Sequence, residues 1–331
     1  MSEGPTFGGA APPAVTTPAA SDISGAAVRP GDRVFRAATR TAGTAVLVIM
    51  AAIAVFLVYR AVPALRADTT SFLTTADWFP DNDPSTFGIA ALLYFTLLTS
   101  LLAMLMAVPV AIGIALFITY YAPRRVSYGL GYFVDLLAAV PSIVYGLWGF
   151  TFLAGNMDGL TRWLDKWLGW IPLFDYRPSN DPTNLSPFTA GVVLAIMILP
   201  IISSISREVF RQVPQDQVEA ALALGATRWE MVRTAVIPFG RAGVLSASIL
   251  GLGRALGETL AVTLVLSSLY DINLHITESG GVTFASNIAL KYGEAGEVGT
   301  GALIASGLCL FVITLAVNLT ASAIIRRQRS A

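Results

Sequence analysis

The sequence predicts an all-α membrane protein with six transmembrane helices, and three observations support this fold class. Hydrophobic residues make up 55% of the 331 residues and charged residues 13%, against roughly a quarter charged in soluble domains. The mean hydropathy is +0.67. Six stretches are apolar enough to cross a hydrocarbon core, which takes about 20 residues. The zero net charge and single cysteine also argue against a disordered chain, a nucleic-acid binder and a disulfide scaffold.

The chain is predicted to begin with a tail and an amphipathic segment. Residues 1–28 are mainly Gly, Ala, Pro, Ser and Thr, so we expect a disordered cytoplasmic tail. They lack the basic start and apolar core of a secretory signal. Residues 29–86 then hold an arginine-containing amphipathic segment suited to membrane lipid, the first span and an acidic external loop.

The remaining spans lie in a core predicted over residues 87–325, followed by a basic cytoplasmic tail at 326–331. The second apolar run, 89–121, would reach roughly 50 Å as a helix, which is too short for two spans and a turn. We therefore predict one long helix, kinked at Pro109. The six uncharged or nearly uncharged runs are 41–59, 84–123, 136–157, 182–206, 242–270 and 298–325.

The placement of charge orients these six spans. One side of the membrane receives 14 arginines and seven acids, a balance of +7, and the other receives six basic residues and 12 acids, a balance of −6. Basic residues mark the cytoplasmic side. Both termini are therefore predicted to be cytoplasmic, as is the arginine-rich loop 207–241.

The sequence also allows predictions for a few features outside the main motifs. Leucines and tryptophans within 160–168 line one face of a helix at the membrane interface. Pro141, followed by Ser142, lies in the third span and is a candidate gate or kink. Asp135 is expected to be a solvated helix-start residue, and His275 a solvated residue of an external loop outside any metal-ligand cluster.

The fifth span contains the strongest chemical feature, a pair of opposite charges at membrane depth. Arg254 lies 13 residues beyond Arg241, so a continuous helix places it about 20 Å into the membrane. Glu258 follows four residues later, on the same face. Intramembrane charges generally mark a substrate path, and an arginine suits an oxyanion because its planar fork donates parallel hydrogen bonds. Glu258 could accept the P–OH proton of phosphate. A purely structural ion pair is the alternative.

The cytoplasmic loop 207–241 predicts two short helices separated by Gly225, with Thr227 capping the second. Its pattern resembles the EAA loop of ABC importer permeases: Glu219, Ala220, Ala221, then Gly225 and, after a further twelve residues, Pro238. The resemblance implies a type I permease fold and a coupling helix that docks on an ATPase subunit. The chain itself has no G-x4-G-K-[ST] phosphate loop.

A narrower resemblance covers residues 87–325. The stretch from Gly253 to Val262 is similar to the G-R-A-x-G-E-T-M-A-V motif of phosphate ABC importer permeases, with Leu260 in place of Met. Residues 140–149 are similar to the third-span signature of the PstC-like subunits. The resemblance implies a substrate path through Arg254, Glu258 and Thr259.

The same resemblance implies a set of partners: a PstA-like permease forming a heterodimer, two PstB-like ATPases that bind ATP and Mg, and an extracytoplasmic phosphate-binding protein. The chain itself is expected to have no cofactor, no metal, no catalytic residues and no nucleic-acid partner. A permease for molybdate or sulfate is the main alternative. A secondary anion transporter is a further one, although it would need no EAA loop and often shows inverted repeats.

Overall fold

The computed structural model describes residues 30–175 and 184–329, and it is built mostly of helices. The predicted tail at 1–28 lies outside the described residues. The helices are α1 (Pro30–Ala67), α2 (Ala90–Leu116), α3 (Arg124–Ala138), α4 (Ser142–Trp148), α5 (Ala154–Leu168), α6 (Pro187–Arg211), α7 (Gln215–Ala223), α8 (Arg228–Met231), α9 (Ile237–Leu256), α10 (Leu260–Val265), α11 (Phe284–Lys291) and α12 (Glu297–Arg329). Short π-helical turns at Phe117–Tyr121, Gly149–Leu153 and Val232–Val236 extend α2, α4 and α8.

The chain divides into two compact units, Met1–Ile53 and Ala54–Ala331. The described part of the first unit is the start of α1, whose side chains are exposed, including Val46, Leu47 and Val48. Apolar side chains exposed all round a helix are what a lipid environment accommodates. Within the second unit, Ala64 at the other end of α1 is 2% exposed and packs closely on Gly301 of α12.

A two-stranded hairpin follows α1 within the second unit. Strands β1 (Trp78–Phe79) and β2 (Thr86–Phe87) pair antiparallel, with Trp78 opposite Phe87. The Asp81 carboxylate accepts hydrogen bonds from the backbone amides of Gly296 (2.9 Å) and Gly299 (2.8 Å). These amides lie at the start of α12, where an acidic side chain satisfies otherwise unpaired donors. The hairpin is thereby fixed to the last long helix.

The centre of the second unit is the contact between α2 and α6. Ala103, Ala107 and Ala111 recur every four residues on α2 and are fully buried against the apolar face of α6. Gly191 of α6 lies directly against Leu102, since a β-carbon at this glycine would be 2.9 Å from the Leu102 Cβ atom. Small residues let two membrane helices approach closely. The single second span predicted from 89–121 is confirmed, because α2 and its π turn run without a break to Tyr121.

The third predicted span, 136–157, is wrong as a continuous helix. The chain forms α3, breaks at residues 139–141, and continues through α4 and α5 to Leu168, with a 90° bend between the two parts. Pro141 is the cause in the sequence, since its ring prevents the preceding residue from remaining helical. A kink at Pro141 is thus present. Residues 160–168 are helical as predicted, with Trp163 and Trp167 exposed.

The fifth predicted span, 242–270, is also interrupted. Helix α9 ends at Leu256 and α10 begins at Leu260, leaving Gly257, Glu258 and Thr259 as a break. Five described helices are long and apolar enough to cross a membrane, and the bent α3–α5 pair makes up to six. The chain is therefore a multi-pass helical protein with five or six candidate spans.

Candidate functional site

The break in the fifth span gives Glu258 a role that the sequence did not predict. Its Oε1 atom accepts a hydrogen bond from the Ala261 amide at 3.2 Å, in the first turn of α10. The residue is 9% exposed. An acidic side chain before a helix satisfies a free amide and matches the positive end of the helix dipole. Glu258 therefore satisfies a backbone amide in the first turn of α10.

Arg254 lies on the last turn of α9 and does not pair with Glu258. In the part of the chain that the structure describes, no ion pair within 4 Å joins the two residues. The expected placement on one helix face is wrong, because four-residue spacing brings side chains together only where the helix is continuous. Arg254 instead is exposed and faces a cavity of about 640 Å³. The cavity is lined by Ile201, Ser246, Ile249, Leu250, Gly253, Arg254, Asn318 and Ser322.

Thr259, the third residue of the predicted substrate path, lies in the break and is partly buried. Its hydroxyl donates a long hydrogen bond of 3.4 Å to the Gly257 carbonyl, and it makes no side-chain cap for α10. The structure thus places Glu258 and Thr259 within the break and Arg254 just before it. Of the three, only Arg254 lines the 640 Å³ cavity.

The two broken spans meet each other. The space for a side chain at Gly146 of α4 is already filled, since a β-carbon there would lie 2.6 Å from the Ala261 Cα atom of α10. Tyr145 is buried, and its hydroxyl donates to the Leu137 carbonyl at 2.9 Å across the bend at residues 139–141. The two breaks therefore form one packed region, in which Pro141 is exposed and Ser142 is partly buried.

A second pair of charges was missed. Arg207 on α6 donates from Nη2 to both carboxylate oxygens of Asp135 on α3, at 3.0 and 2.8 Å. The Ser204 hydroxyl donates to the same carboxylate at 2.7 Å. Asp135 is 48% exposed, as expected for a solvated residue, but the expectation that it starts a helix is wrong, because it lies in the last turn of α3 and is bonded to α6.

The Arg207 side chain is 9% exposed, and its Nε atom has no hydrogen-bond partner among the described residues. Gly131 of α3 makes room for it, because a β-carbon at that position would overlap the guanidinium group. The signal in the sequence was that Asp135 and Arg207 lie at the same predicted membrane boundary with opposite charge. Helices that are distant in sequence give no spacing rule that would pair them.

The loop 207–241 has the predicted break at Gly225, but only the helix before it is short, because the helix after it runs on from Arg228 to Leu256. Glu219, Ala220 and Ala221 lie on α7, and Gly225 follows with a positive φ of 85°, which L side chains rarely adopt. Thr227 caps α8 as predicted: its Oγ1 atom accepts from the Glu230 amide at 3.3 Å, and Glu230 accepts in return from the Thr227 amide at 2.8 Å.

Apolar side chains are exposed at the tip of this loop. Leu224 is 90% exposed, and Leu222 and Trp229 are exposed as well. The inner side of α7 is anchored, since Val218 and Ala221 pack on a buried cluster that includes Phe210 and Met231. Pro238 lies just after the π turn Val232–Val236, within a helix that runs from Arg228 to Leu256. A π turn there is consistent with a proline that cannot donate an amide.

His275 also differs from its predicted environment. It is 18% exposed, with Nε2 3.5 Å from an Asp175 carboxylate oxygen and Nδ1 3.8 Å from Glu278. The prediction of a solvated side chain is therefore wrong. Within residues 30–175 and 184–329, no group of three or more His, Cys, Asp or Glu side chains is placed to hold a metal ion.

Membrane-length helices, two broken spans that meet beside an arginine, and an exposed helix–turn–helix loop together define a multi-pass transport component of the membrane. Residues 107–330 match the family described as binding-protein-dependent transport system inner membrane component. The chain belongs to this family.

Relatives share most of the chain. A protein of Mycobacterium tuberculosis named phosphate transport system permease protein PstC 2 is 49% identical over 312 residues, which cover 94% of this chain and 96% of the relative. A PstC protein of Mycobacterium leprae is 48% identical over 93% of this chain and 97% of the relative. One of Xylella fastidiosa is 37% identical over 96% of both.

Solved structures support the fold alone. A chain of the MetNI methionine ABC transporter in an inward-facing conformation superposes with a TM-score of 0.51 at 15% identity, covering 72% of this chain and 96% of that one. A chain of a bacterial ABC transporter that imports alginate also gives a TM-score of 0.51, at 19% identity, covering 72% of this chain and 79% of that one. The fold is that of ABC importer permeases.

Proposed function

We propose that the chain is the transmembrane permease subunit of an ATP-driven inorganic phosphate importer. The observation that carries this proposal is Arg254, a cation at membrane depth that faces a cavity of about 640 Å³ in a family of transport permeases whose relatives are named for phosphate. An arginine in the membrane costs roughly 2.5 to 3.5 kcal/mol on insertion scales. That cost is offset when the guanidinium binds an anion that passes through the path.

Phosphate suits the chemistry of the break. The guanidinium of Arg254 can donate two parallel hydrogen bonds to a tetrahedral oxyanion. Hydrogen phosphate keeps a P–OH at neutral pH, and the Glu258 carboxylate in the break could accept that proton. Sulfate has no such proton and would be repelled by the carboxylate. Thr259 adds a hydroxyl in the same break. Arg254 is thus proposed as the main substrate contact, with Glu258 and Thr259 assisting it.

The loop 207–241 is proposed to contact the ATPase subunits and to transmit their movement to the membrane helices. The exposed Leu222, Leu224 and Trp229 give α7 and the adjoining turn an apolar surface suited to another subunit. The capping box at Thr227 and Glu230 makes the turn rigid, so a push on α7 reaches the helix that carries Arg254. The proposed partners are two PstB-like ATPases that bind ATP and Mg, a PstA-like permease that completes the path, and an extracytoplasmic phosphate-binding protein. Both termini are proposed to be cytoplasmic.

The test is reconstitution of the complex in lipid. The chain is co-expressed with a PstA-like permease and a PstB-like ATPase, purified through a tag on this chain, and supplied with a phosphate-binding protein. We expect the ATPase to co-purify with the chain. Addition of the binding protein with phosphate should raise both ATP hydrolysis and the uptake of radiolabelled phosphate. Excess sulfate or molybdate should leave uptake unchanged. Uptake that follows molybdate or sulfate instead would make this a permease for that oxyanion, and uptake by the chain alone along an ion gradient would refute ABC coupling.

A further inference from the structure

The cavity beside Arg254 extends along α9 and α12, and Ile201 of α6 also lines it. On α9 its lining residues are spaced as one helix face, from Ser246 through Leu250 to Arg254. Asn318 and Ser322, one turn apart on α12, face the same space. None of the eight lining residues is acidic. An elongated cavity that begins at a cation and contains no carboxylate offers an anion a direction in which to move.

The polar groups that line this cavity lie at different distances from the predicted cytoplasmic boundary. Counting about 1.5 Å per residue from Arg241, Ser246 lies about 8 Å and Arg254 about 20 Å along α9. Counting back from Arg326 on α12, Ser322 lies about 6 Å and Asn318 about 12 Å from the same boundary. Helix tilt would shorten all four depths without changing their order. Asn318 is therefore intermediate between Arg254 and the pair of serines.

The side chain of Asn318 is available to a ligand. It is exposed, and it makes no hydrogen bond to any residue that the structure describes. A polar side chain within a membrane helix normally finds a partner or marks a polar pathway. The Ser246 hydroxyl donates to the Ala242 carbonyl at 2.9 Å, so its oxygen still accepts. An amide that donates and a hydroxyl that accepts match the oxygens and the P–OH of hydrogen phosphate.

The size of the cavity fits passage of a partly hydrated anion. A volume of about 640 Å³ leaves room for a phosphate ion together with some of its water. The apolar lining from Ile201, Ile249 and Leu250 gives few binding groups. Weak contacts are what release requires, since a tight site below Arg254 would trap the anion.

We propose that Asn318 is a contact for phosphate on its cytoplasmic exit route, between Arg254 and the Ser246–Ser322 pair. This inference rests on the proposed function. It places Asn318 and Ser322 of α12 on the substrate path, so this chain contributes polar groups to the route from Arg254 to the cytoplasm.

The first test uses cysteine accessibility. Cys309 is the chain's only cysteine, so it is replaced by serine and Asn318→Cys is introduced in the full complex. In inside-out membrane vesicles, we expect an anionic, membrane-impermeant thiosulfonate to modify this cysteine, and phosphate to slow that modification several-fold. Thr320→Cys is the matched control, because it lies two residues away on α12 and does not line the cavity. Its modification should not respond to phosphate.

The second test measures uptake. Asn318→Leu should lower phosphate uptake about tenfold, the effect of losing one or two hydrogen bonds to a charged ligand, while Asn318→Gln keeps most of it. Thr320→Val should transport like the unmodified complex. An unmodified complex that imports no phosphate would overturn the proposed function itself. A complex that imports phosphate normally with Asn318→Leu, or whose Asn318→Cys is unreactive or insensitive to phosphate, overturns the exit route alone.

Discussion

Two pairs of opposite charges in the chain behave in opposite ways. Arg254 and Glu258 are four residues apart in sequence, yet they form no ion pair within the described part of the chain. Asp135 and Arg207 are 72 residues apart and bond at 2.8 Å. The first pair leaves a cation facing a cavity, and the second pair fastens α3 to α6. An unneutralised charge is suited to binding a passing ion, whereas a neutralised one is suited to holding helices together.

The largest effect should come from Arg254→Ala. If this cation binds the anion, its loss removes charge-assisted hydrogen bonds of about 3 kcal/mol, and phosphate uptake should fall on the order of 100-fold. Arg254→Lys should retain part of the uptake, because it keeps the charge without the planar fork. Co-purification with the partner subunits should be unchanged. Normal uptake by Arg254→Ala would place the substrate path elsewhere.

The Asp135–Arg207 pair should respond asymmetrically. Asp135→Ala leaves the buried guanidinium without its counter-ion, so we expect a loss of about 2 kcal/mol in the free energy of unfolding. Arg207→Met leaves a carboxylate that is already 48% exposed and can be hydrated, so its cost should be smaller, about 1 kcal/mol. Thermal unfolding of the purified chain in detergent compares the two. Equal costs would mean that Arg207 is not buried as the structure shows.

Double-mutant cycles compare the two pairs directly. The stability coupling between Asp135 and Arg207 should exceed about 1 kcal/mol, as expected for groups in contact. The coupling between Arg254 and Glu258 should stay below about 0.5 kcal/mol, the range seen for independent sites. The measurement needs four single variants, Asp135→Ala, Arg207→Met, Arg254→Ala and Glu258→Gln. It also needs the double variant of each pair. A strong coupling across the break in the fifth span would reverse this comparison.

The smallest effect concerns two glycines of α3. Gly131→Ala should destabilise the chain by about 1 kcal/mol, since the new methyl group displaces the Arg207 guanidinium from Asp135. Gly129→Ala is the matched control: nothing lies within 4 Å of a β-carbon there, so the better helix propensity of alanine should be neutral or stabilising by up to about 1 kcal/mol. Equal responses from both positions would argue against close packing of α3 on Arg207.

Local chemistry made much of the molecule predictable. Uncharged runs located the first, second, fourth and sixth long helices, because a hydrocarbon core demands about 20 apolar residues in each. Gly225 and Thr227 predicted a turn and a helix cap from properties of single residues, and both are present. Pro141 indicated a disturbance of the third span, although not a bend of 90°.

Two of the errors share one cause, and the third is local. Asp135 and His275 were interpreted from their neighbours in sequence, and each approaches a residue far along the chain. Glu258 was paired with Arg254 on a continuous helix, but its partner is the Ala261 amide three residues later. Asp135 bonds to α6, His275 approaches Asp175, and Glu258 satisfies the start of a new helix. Contacts between elements depend on how helices pack, and neither periodicity nor charge in a single segment encodes that packing.

The sequence by itself determined that this chain is a helical membrane protein whose loop 207–241 turns at Gly225, because hydrophobic length and turn chemistry are local properties. Only the tertiary structure decided which charges are neutralised. The break at residues 257–259 separates Arg254 from Glu258, and the packing of α3 on α6 joins Asp135 to Arg207. Electrostatic energy depends on distance in space, and distance in space is set by the break and the packing together.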